Sequence, residues 1–160
     1  MKHFCTLFLV VLLIVCSCAK KNVEKKETIP WTSIEIAARN QIVTIYEDLD
    51  TASFRNAIYK RTSKQAFMGK YKLEKIEKTN FKISRTELDS LYAYVVRTIT
   101  KPCFPETFCT DYVGNVSIKL ASGRTTISCD YNSVCNWSNV SPETQKIYQL
   151  LRSKVKISPK

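Results

Sequence analysis

The sequence predicts an α+β fold: an antiparallel sheet of about four to six strands, two helices packed on one face, and a disulfide-braced C-terminal hairpin. Three observations support this. Short segments rich in β-branched and aromatic residues recur along the chain, and such segments favour strands. Two later segments join capping residues to an apolar repeat of helical period. Four cysteines flank the last pair of expected strands.

The first strands are indicated by alternation and by β-branched content. Residues 33–36 alternate polar with apolar, and residues 42–46 are β-branched and aromatic. Residues 54–60 form a third expected strand after an acidic segment, 47–52, that reads as a loop. Residues 68–76 place apolar side chains on one face and charged ones on the other, as in a half-exposed antiparallel strand.

Both helices are predicted from the capping residues of their first turns. Ser84 and Glu87 have the spacing of a capping box, an apolar stripe of helical period follows, and Pro102 ends it. The second helix is predicted to begin at Ser141, with Pro142 at its first position.

Between the helices, β-branched residues flank Ser122 and Gly123, which predicts a hairpin with these two residues as its turn. That turn sets Ile118 opposite Ile127 and brings the two ends of the hairpin together near Cys135.

The register favours Cys109–Cys135 as one disulfide, which leaves Cys103–Cys129 as the other. The local alternative, Cys103–Cys109 with Cys129–Cys135, stays open because both spacings are the same. A zinc site is less favoured, since structural zinc usually takes closely spaced pairs of cysteines.

The chain begins with a short basic start and an apolar run at 4–15, the length of a signal-peptide core. The run ends in Val15, Cys16, Ser17 and Cys18. This order resembles the lipobox of bacterial lipoproteins, in which the last cysteine receives the lipid. The resemblance covers only this leader, implies acylation (palmitate type) of Cys18, and implies export to the envelope. A plain secretory signal is the alternative.

The resemblance implies a signal peptide at 1–17 and lipidation at the start of the next segment, 18–29, whose charge predicts a tether. The remaining pattern predicts one α+β domain at 30–156 and a tail at 157–160. The tether is charged and would reach at most ~35 Å. Export oxidises thiols, and four cysteines remain after the leader and Cys18. Ala19, where some lineages use aspartate for inner-membrane retention, favours the outer membrane, with the domain in the periplasm or at the cell surface.

The residues that usually carry enzyme chemistry are scarce. The single histidine, His3, lies in the leader, so the mature chain lacks the commonest general base. We therefore expect no enzyme activity, no cofactor and no metal. Asp111 and Asp130 flank the hairpin and leave a carboxylate-based hydrolase as a remote option.

The net charge of +11 gathers in one stretch. The candidate basic surface comprises Lys60, Arg61, Lys64, Lys70, Lys72, Lys75, Lys78 and Lys82. Such a surface suits anionic headgroups, anionic envelope polymer or an acidic protein; nucleic acid fits the charge but not the compartment. The preferred interpretation is simpler: the lysines cover the solvent side of two strands, and the interleaved aromatics fill the core. Those aromatics are Tyr59, Phe67, Tyr71 and Phe81.

These features predict a non-enzymatic, lipid-anchored envelope protein that acts as an interaction or structural module. Its partners would be the membrane, through the anchor, and a protein or an anionic polymer. The alternative is a periplasmic inhibitor or immunity-type protein that blocks an acidic enzyme or toxin, since like-charged partners repel.

Overall fold

The computed structural model describes residues 30–62, 71–103 and 115–159. Within them six strands form one open antiparallel sheet with the order β4-β3-β2-β1-β5-β6. The strands are β1 (Ser33–Ala38), β2 (Gln41–Tyr46), β3 (Thr51–Arg61), β4 (Tyr71–Lys82), β5 (Asn115–Ser122) and β6 (Thr125–Asn132). The helices are α1 (Arg85–Thr100), α2 (Pro142–Arg152) and a short 3₁₀ turn (Trp137–Asn139). The predicted α+β class is confirmed.

The core lies on one face of the sheet. Ile34 and Ile36 of β1 pair with Ile45 and Val43 of β2, and all four side chains are fully buried. Alternate residues of β3, β5 and β6 continue the same layer, and α1 packs over β5 and β6. The opposite face of the sheet, called here the open face, carries no helix in the described part of the chain.

The capping box predicted for α1 is present. The Ser84 amide donates to the Glu87 carboxylate at 2.9 Å, and the Glu87 amide donates to the Ser84 hydroxyl at 3.3 Å. The same carboxylate pairs with Lys154, just past α2, at 2.8 Å. The predicted start of α2 is confirmed as well: Ser141 caps it and Pro142 is its first residue.

Trp137 joins the end of the chain to the core. Its side chain is fully buried, its indole N–H donates to the carbonyl of Ser158 at 2.9 Å, and its ring meets Tyr148 edge-on. Ile157 is also buried, so the packed chain continues beyond the predicted boundary at 156. Trp137 therefore anchors the C-terminal segment to the core.

Two predicted elements are longer in the structure. β3 begins at Thr51, inside the expected loop, and β4 continues to Lys82, beyond the predicted end at 76. The reason is the β3–β4 ladder, which runs without interruption from the Thr51–Lys82 pair to the Ile58–Lys75 pair. Ladder hydrogen bonds outweigh the weak strand propensity of Ala52 and Ser53 in β3 and of Lys78 and Asn80 in β4.

The predicted hairpin is present, but its strands pair in a different register from the predicted one. Its turn is Gly123-Arg124, because Ser122 pairs with Thr125, and Ile118 faces Cys129 instead of Ile127. Gly123 has φ of +58° and is the first central residue of the turn, where only glycine takes positive φ without strain.

The predicted pairing Cys103–Cys129 is wrong in this structure, and so is the local alternative. Cys103 is a free thiol at the surface, and Cys129 is a free thiol in the core face of β6. Cys135 is disulfide-bonded, while Cys109 lies outside the described residues; no disulfide has both of its cysteines within the described ranges. Packing explains the free Cys129, because its side chain fills the sheet core and is only 8% exposed.

Candidate functional site

The β3–β4 hairpin extends beyond the rest of the sheet. The last β2–β3 pair joins Gln41 to Asn56, whereas the β3–β4 ladder continues to the pair Arg61–Tyr71. Residues 57–61 and 71–76 therefore form a two-stranded projection, called here the ribbon, about 17 Å long. A register shift between Ile58 and Tyr59 leaves Glu74 as an extra residue in β4, and such bulges increase local twist.

The open face of the ribbon is apolar and exposed. Tyr59 faces Leu73, Ala57 faces Ile76, and Arg61 faces Tyr71. Tyr71 is 65% exposed, and the other three large apolar side chains of this face are each about half exposed: Tyr59 46%, Leu73 44% and Ile76 44%. These four account for most of the large exposed apolar residues in the described ranges, the others being Tyr46, Leu49 and Ile127.

The expectation that the interleaved aromatics fill the core is therefore wrong for Tyr59 and Tyr71. Phe81 is half-buried against the core as expected, and Phe67 lies outside the described residues. The cause is the face that each side chain occupies: Phe81 pairs with Ala52 on the covered face, whereas Tyr59 and Tyr71 lie on the open face and beyond the last β2–β3 pair.

Cations face one another across the same two strands. Arg55 pairs with Lys78 on the open face, and Lys60 pairs with Lys72 on the opposite, helix-side face. Like charges directly opposite in an antiparallel pair oppose folding. The two pairs lie on opposite faces of the ladder, so an anion that approaches either face would relieve the repulsion there.

Carboxylates neutralise only part of this charge. Glu77 pairs with Lys75 at 2.7 Å on the helix-side face. The Glu77 carboxylate raises the pKa of Lys75, mainly through their hydrogen bond, and the lysine correspondingly lowers the pKa of Glu77. The cross-strand pairs that form the open face, from Thr51–Lys82 to Arg61–Tyr71, contain no carboxylate.

The structure thus divides the predicted basic surface between two faces. Arg61, Lys78 and Lys82 pair on the open face, whereas the other described members lie on the helix-side face. Those others are Lys60, Lys72 and Lys75. Lys64 and Lys70 lie outside the described residues, as does Cys18. The sequence interpretation missed Arg55, which precedes the lysine-rich stretch and reaches the same face only through the β3–β4 pairing.

The predicted pair of hairpin carboxylates is reduced to one described residue. Asp130 is exposed and faces Ser117 on the open side of β6. The hydroxyls of Ser117 and Ser128 hold the pKa of Asp130 below its ordinary value, with Ser128 donating at 2.8 Å. Asp111 lies outside the described residues.

A shallow cleft of about 700 Å³ opens on the helix side, between the C-terminal segment and strands β3 and β4. Its lining includes Phe54, Asn56, Thr79 and Glu77, and Glu77 is already paired with Lys75. Across the described ranges, no group of three or more histidine, cysteine or acidic side chains lies close enough to hold a metal ion. The ribbon is therefore the better-defined candidate, and its chemistry is that of binding.

No protein-family model, curated protein or solved structure matches the chain. Within the described residues no helix has both the length and the apolar character to cross a bilayer. The ribbon and the leader sequence are therefore the two features of the chain that bear on its function.

Proposed function

We propose that the protein is a non-enzymatic interaction module of the bacterial cell envelope, anchored by a lipid on Cys18 and binding its partner through the ribbon. The observation that carries the proposal is the combination, on one projection, of half-exposed apolar side chains with the like-charge cross-strand pair Lys60–Lys72. Neither feature stabilises the isolated fold. An anionic, partly apolar surface that covers the ribbon would bury the apolar side chains and neutralise the like charges, and both changes are favourable.

The ribbon adds little to the stability of the domain. β4 is an edge strand whose side chains are exposed along the whole strand except at Phe81. Its lysines and the bulge near Glu74 are features that protect exposed edges against strand addition. Binding through side chains therefore fits this strand better than extension of the sheet by a partner strand.

The anchor and tether give the ribbon its location. A lipid on Cys18 and about ten extended residues would hold the domain within ~35 Å of the membrane, and outer-membrane attachment is the preferred site. A brace of the hairpin through the Cys135 disulfide belongs to the same proposal, since such bonds persist in an oxidising compartment.

The ribbon's shape favours one second candidate. A narrow cationic projection about 17 Å long could enter the active-site cleft of an acidic enzyme, as an inhibitor or immunity-type protein would. This function requires one stoichiometric protein partner, whereas an envelope module contacts several components or a polymer.

Site-specific photocrosslinking in intact cells tests the proposal. A photoreactive phenylalanine analogue replaces Tyr71 in one variant and Ile127 in a matched control. Ile127 is 41% exposed on β6, at the opposite edge of the sheet. We expect crosslinked envelope components from position 71 and none from position 127, together with a mature mass that shows acylation at Cys18.

If position 71 crosslinks to a single acidic enzyme, the protein is an inhibitor of that enzyme and not an interaction module of the envelope. Equal crosslinking from both positions, or none from position 71, would contradict a function for the ribbon. An unprocessed amino terminus in protein taken from cells would contradict the anchor independently of the ribbon.

A further inference from the structure

We propose that the distal part of the ribbon binds anionic phospholipid headgroups, so that the chain touches the membrane at a second place besides its lipid anchor. This inference rests on the proposed function and names the partner of the same surface. The distal part is defined by three cross-strand pairs: Tyr59–Leu73, Lys60–Lys72 and Arg61–Tyr71.

The composition of these pairs matches a membrane interface. They contain three cations, two tyrosines and one leucine, with no carboxylate among them. Tyrosine is enriched where an apolar ring must end in a wet hydroxyl. Lysine and arginine are drawn to anionic headgroups, and their long aliphatic stems tolerate an apolar boundary.

The dimensions agree as well. Three pairs occupy about 7 Å along a strand, which is close to the thickness of one headgroup layer, roughly 5–8 Å. All six side chains can therefore lie in that layer at once. Lys75, two residues beyond Leu73 along β4 and about 7 Å away, remains within the surface potential, which decays over about 8–10 Å, whereas Lys78 lies beyond it.

The distribution of charge over both faces favours lipid over an acidic protein. Arg61 and Tyr71 point to the open face, whereas Lys60 and Lys72 point to the helix-side face. A folded protein partner that covers the apolar open face of the ribbon would leave Lys60 and Lys72, on the other face, in solvent. Fluid headgroups surround the ribbon and reach both faces, which also relieves the Lys60–Lys72 repulsion.

Hydrogen exchange of the native acylated protein in vesicles tests this inference. The protein is reconstituted into vesicles of phosphatidylcholine alone, or of phosphatidylcholine and phosphatidylglycerol in equal amounts. The anchor is the same in both, so any difference in amide exchange at 71–76 reports contact with anionic headgroups. We expect slower exchange in the anionic vesicles, and a smaller difference at high salt.

A double variant, Lys60→Gln with Lys72→Gln, is expected to weaken the contact about 25-fold, because each cation near an anionic surface contributes roughly fivefold. The matched control is Lys101→Gln with Arg152→Gln, which removes the same charge at exposed positions at the ends of the two helices, away from the ribbon. Because the first variant removes a like-charge pair, it is expected to fold at least as well as the native chain.

Equal exchange at 71–76 in the two kinds of vesicle would overturn the inference. So would an equal loss of protection in the control variant, because the effect would then belong to net charge alone. If either result occurs while Tyr71 still crosslinks an envelope protein in cells, the lipid inference fails and the interaction module stands. If both experiments are negative, both proposals fail.

Discussion

Replacing Glu87 by glutamine is expected to weaken the fold by about 1 kcal/mol at neutral pH. The Glu87 carboxylate accepts the Ser84 amide and pairs with Lys154, so it ties the first turn of α1 to the residues after α2. Hydrogen bonding to Lys154, followed by the backbone and hydroxyl of Ser84, lowers the pKa of Glu87 from 4.5 to about 2.

That shift sets an upper limit on the effect. A pKa lowered from 4.5 to about 2 corresponds to roughly 3 kcal/mol of folding free energy. The Glu87 side chain is 32% exposed, however, so solvent screens much of this electrostatic contribution. Exposed ion pairs contribute ~0.2–1 kcal/mol and a lost cap costs ~1 kcal/mol. Glutamine keeps an oxygen for the Ser84 amide and loses the charge, whereas Glu87→Ala loses both and should cost about 1–2 kcal/mol.

The pH dependence gives the sharper test. The folded-state pKa of Glu87 lies below its unfolded value of 4.5, so its contribution is complete above 4.5 and disappears as the pH falls towards 2. Urea unfolding of the native chain and Glu87→Gln should therefore give curves that differ at pH 7 and converge near pH 2.

Asp89→Asn serves as the control, since Asp89 forms only an exposed i,i+4 pair with Arg85 and should change stability by less than ~0.5 kcal/mol. A double-mutant cycle with Lys154→Met measures the coupling directly. A stability difference between native chain and Glu87→Gln that stays constant from pH 7 to 2, or a cycle with no coupling, would refute the assignment of the pKa shift to Lys154.

Three further outcomes follow from the packing. In native protein a thiol reagent should label Cys103 at once and Cys129, which is 8% exposed, only after unfolding; a peptide that links the two by a disulfide would contradict the structure. Trp137→Phe should cost about 2–3 kcal/mol in denaturant unfolding, because a fully buried indole loses volume and its hydrogen bond, and an unchanged midpoint would refute its anchoring role. Gly123→Ala should cost about 1 kcal/mol, since φ of +58° disfavours a side chain while no atom lies within 4 Å of the added carbon; Arg124→Ala, at the next position, should be neutral.

The sequence predicts an element correctly where interactions among neighbouring residues are enough to determine it. Ser84 and Glu87 predicted the start of α1 because a capping box uses only neighbouring residues. Alternation predicted β1, and β-branched and aromatic content predicted β2, because both strands lie in the middle of the sheet with one covered face. In each case the local preference and the final packing agree.

The hairpin register shows where such rules stop. A glycine between two strands indicates a two-residue turn, but it does not fix where the turn begins. Glycine occupies the first central position in one common turn type and the second in another. Placing Gly123 second moved the expected partner of Ile118 from Cys129 to Ile127. The pairing of Cys103 with Cys129 failed for another reason: it was the pair left over after Cys109–Cys135, on the expectation that all four cysteines are oxidised, whereas both thiols are free.

The ribbon was hidden for a different reason. Alternation at 71–76 shows that two faces differ, but it does not show whether the apolar face is covered. Coverage depends on which face the helices take, and in the described residues they lie on the face opposite these apolar side chains. β2 also pairs with β3 only as far as Asn56, so no neighbouring strand shields the ribbon, and no pattern within β4 records either fact.

The same geometry separates binding from stability in this fold. An isolated two-stranded hairpin is marginal in water, so the ribbon keeps its shape because its ladder continues from the sheet, where Phe54 and Ala52 are buried. Substitutions at Tyr59 or Leu73 remove exposed surface and leave that base intact. A partner that covers the ribbon should accordingly slow amide exchange there while global unfolding changes little, whereas a change in the core would alter both together.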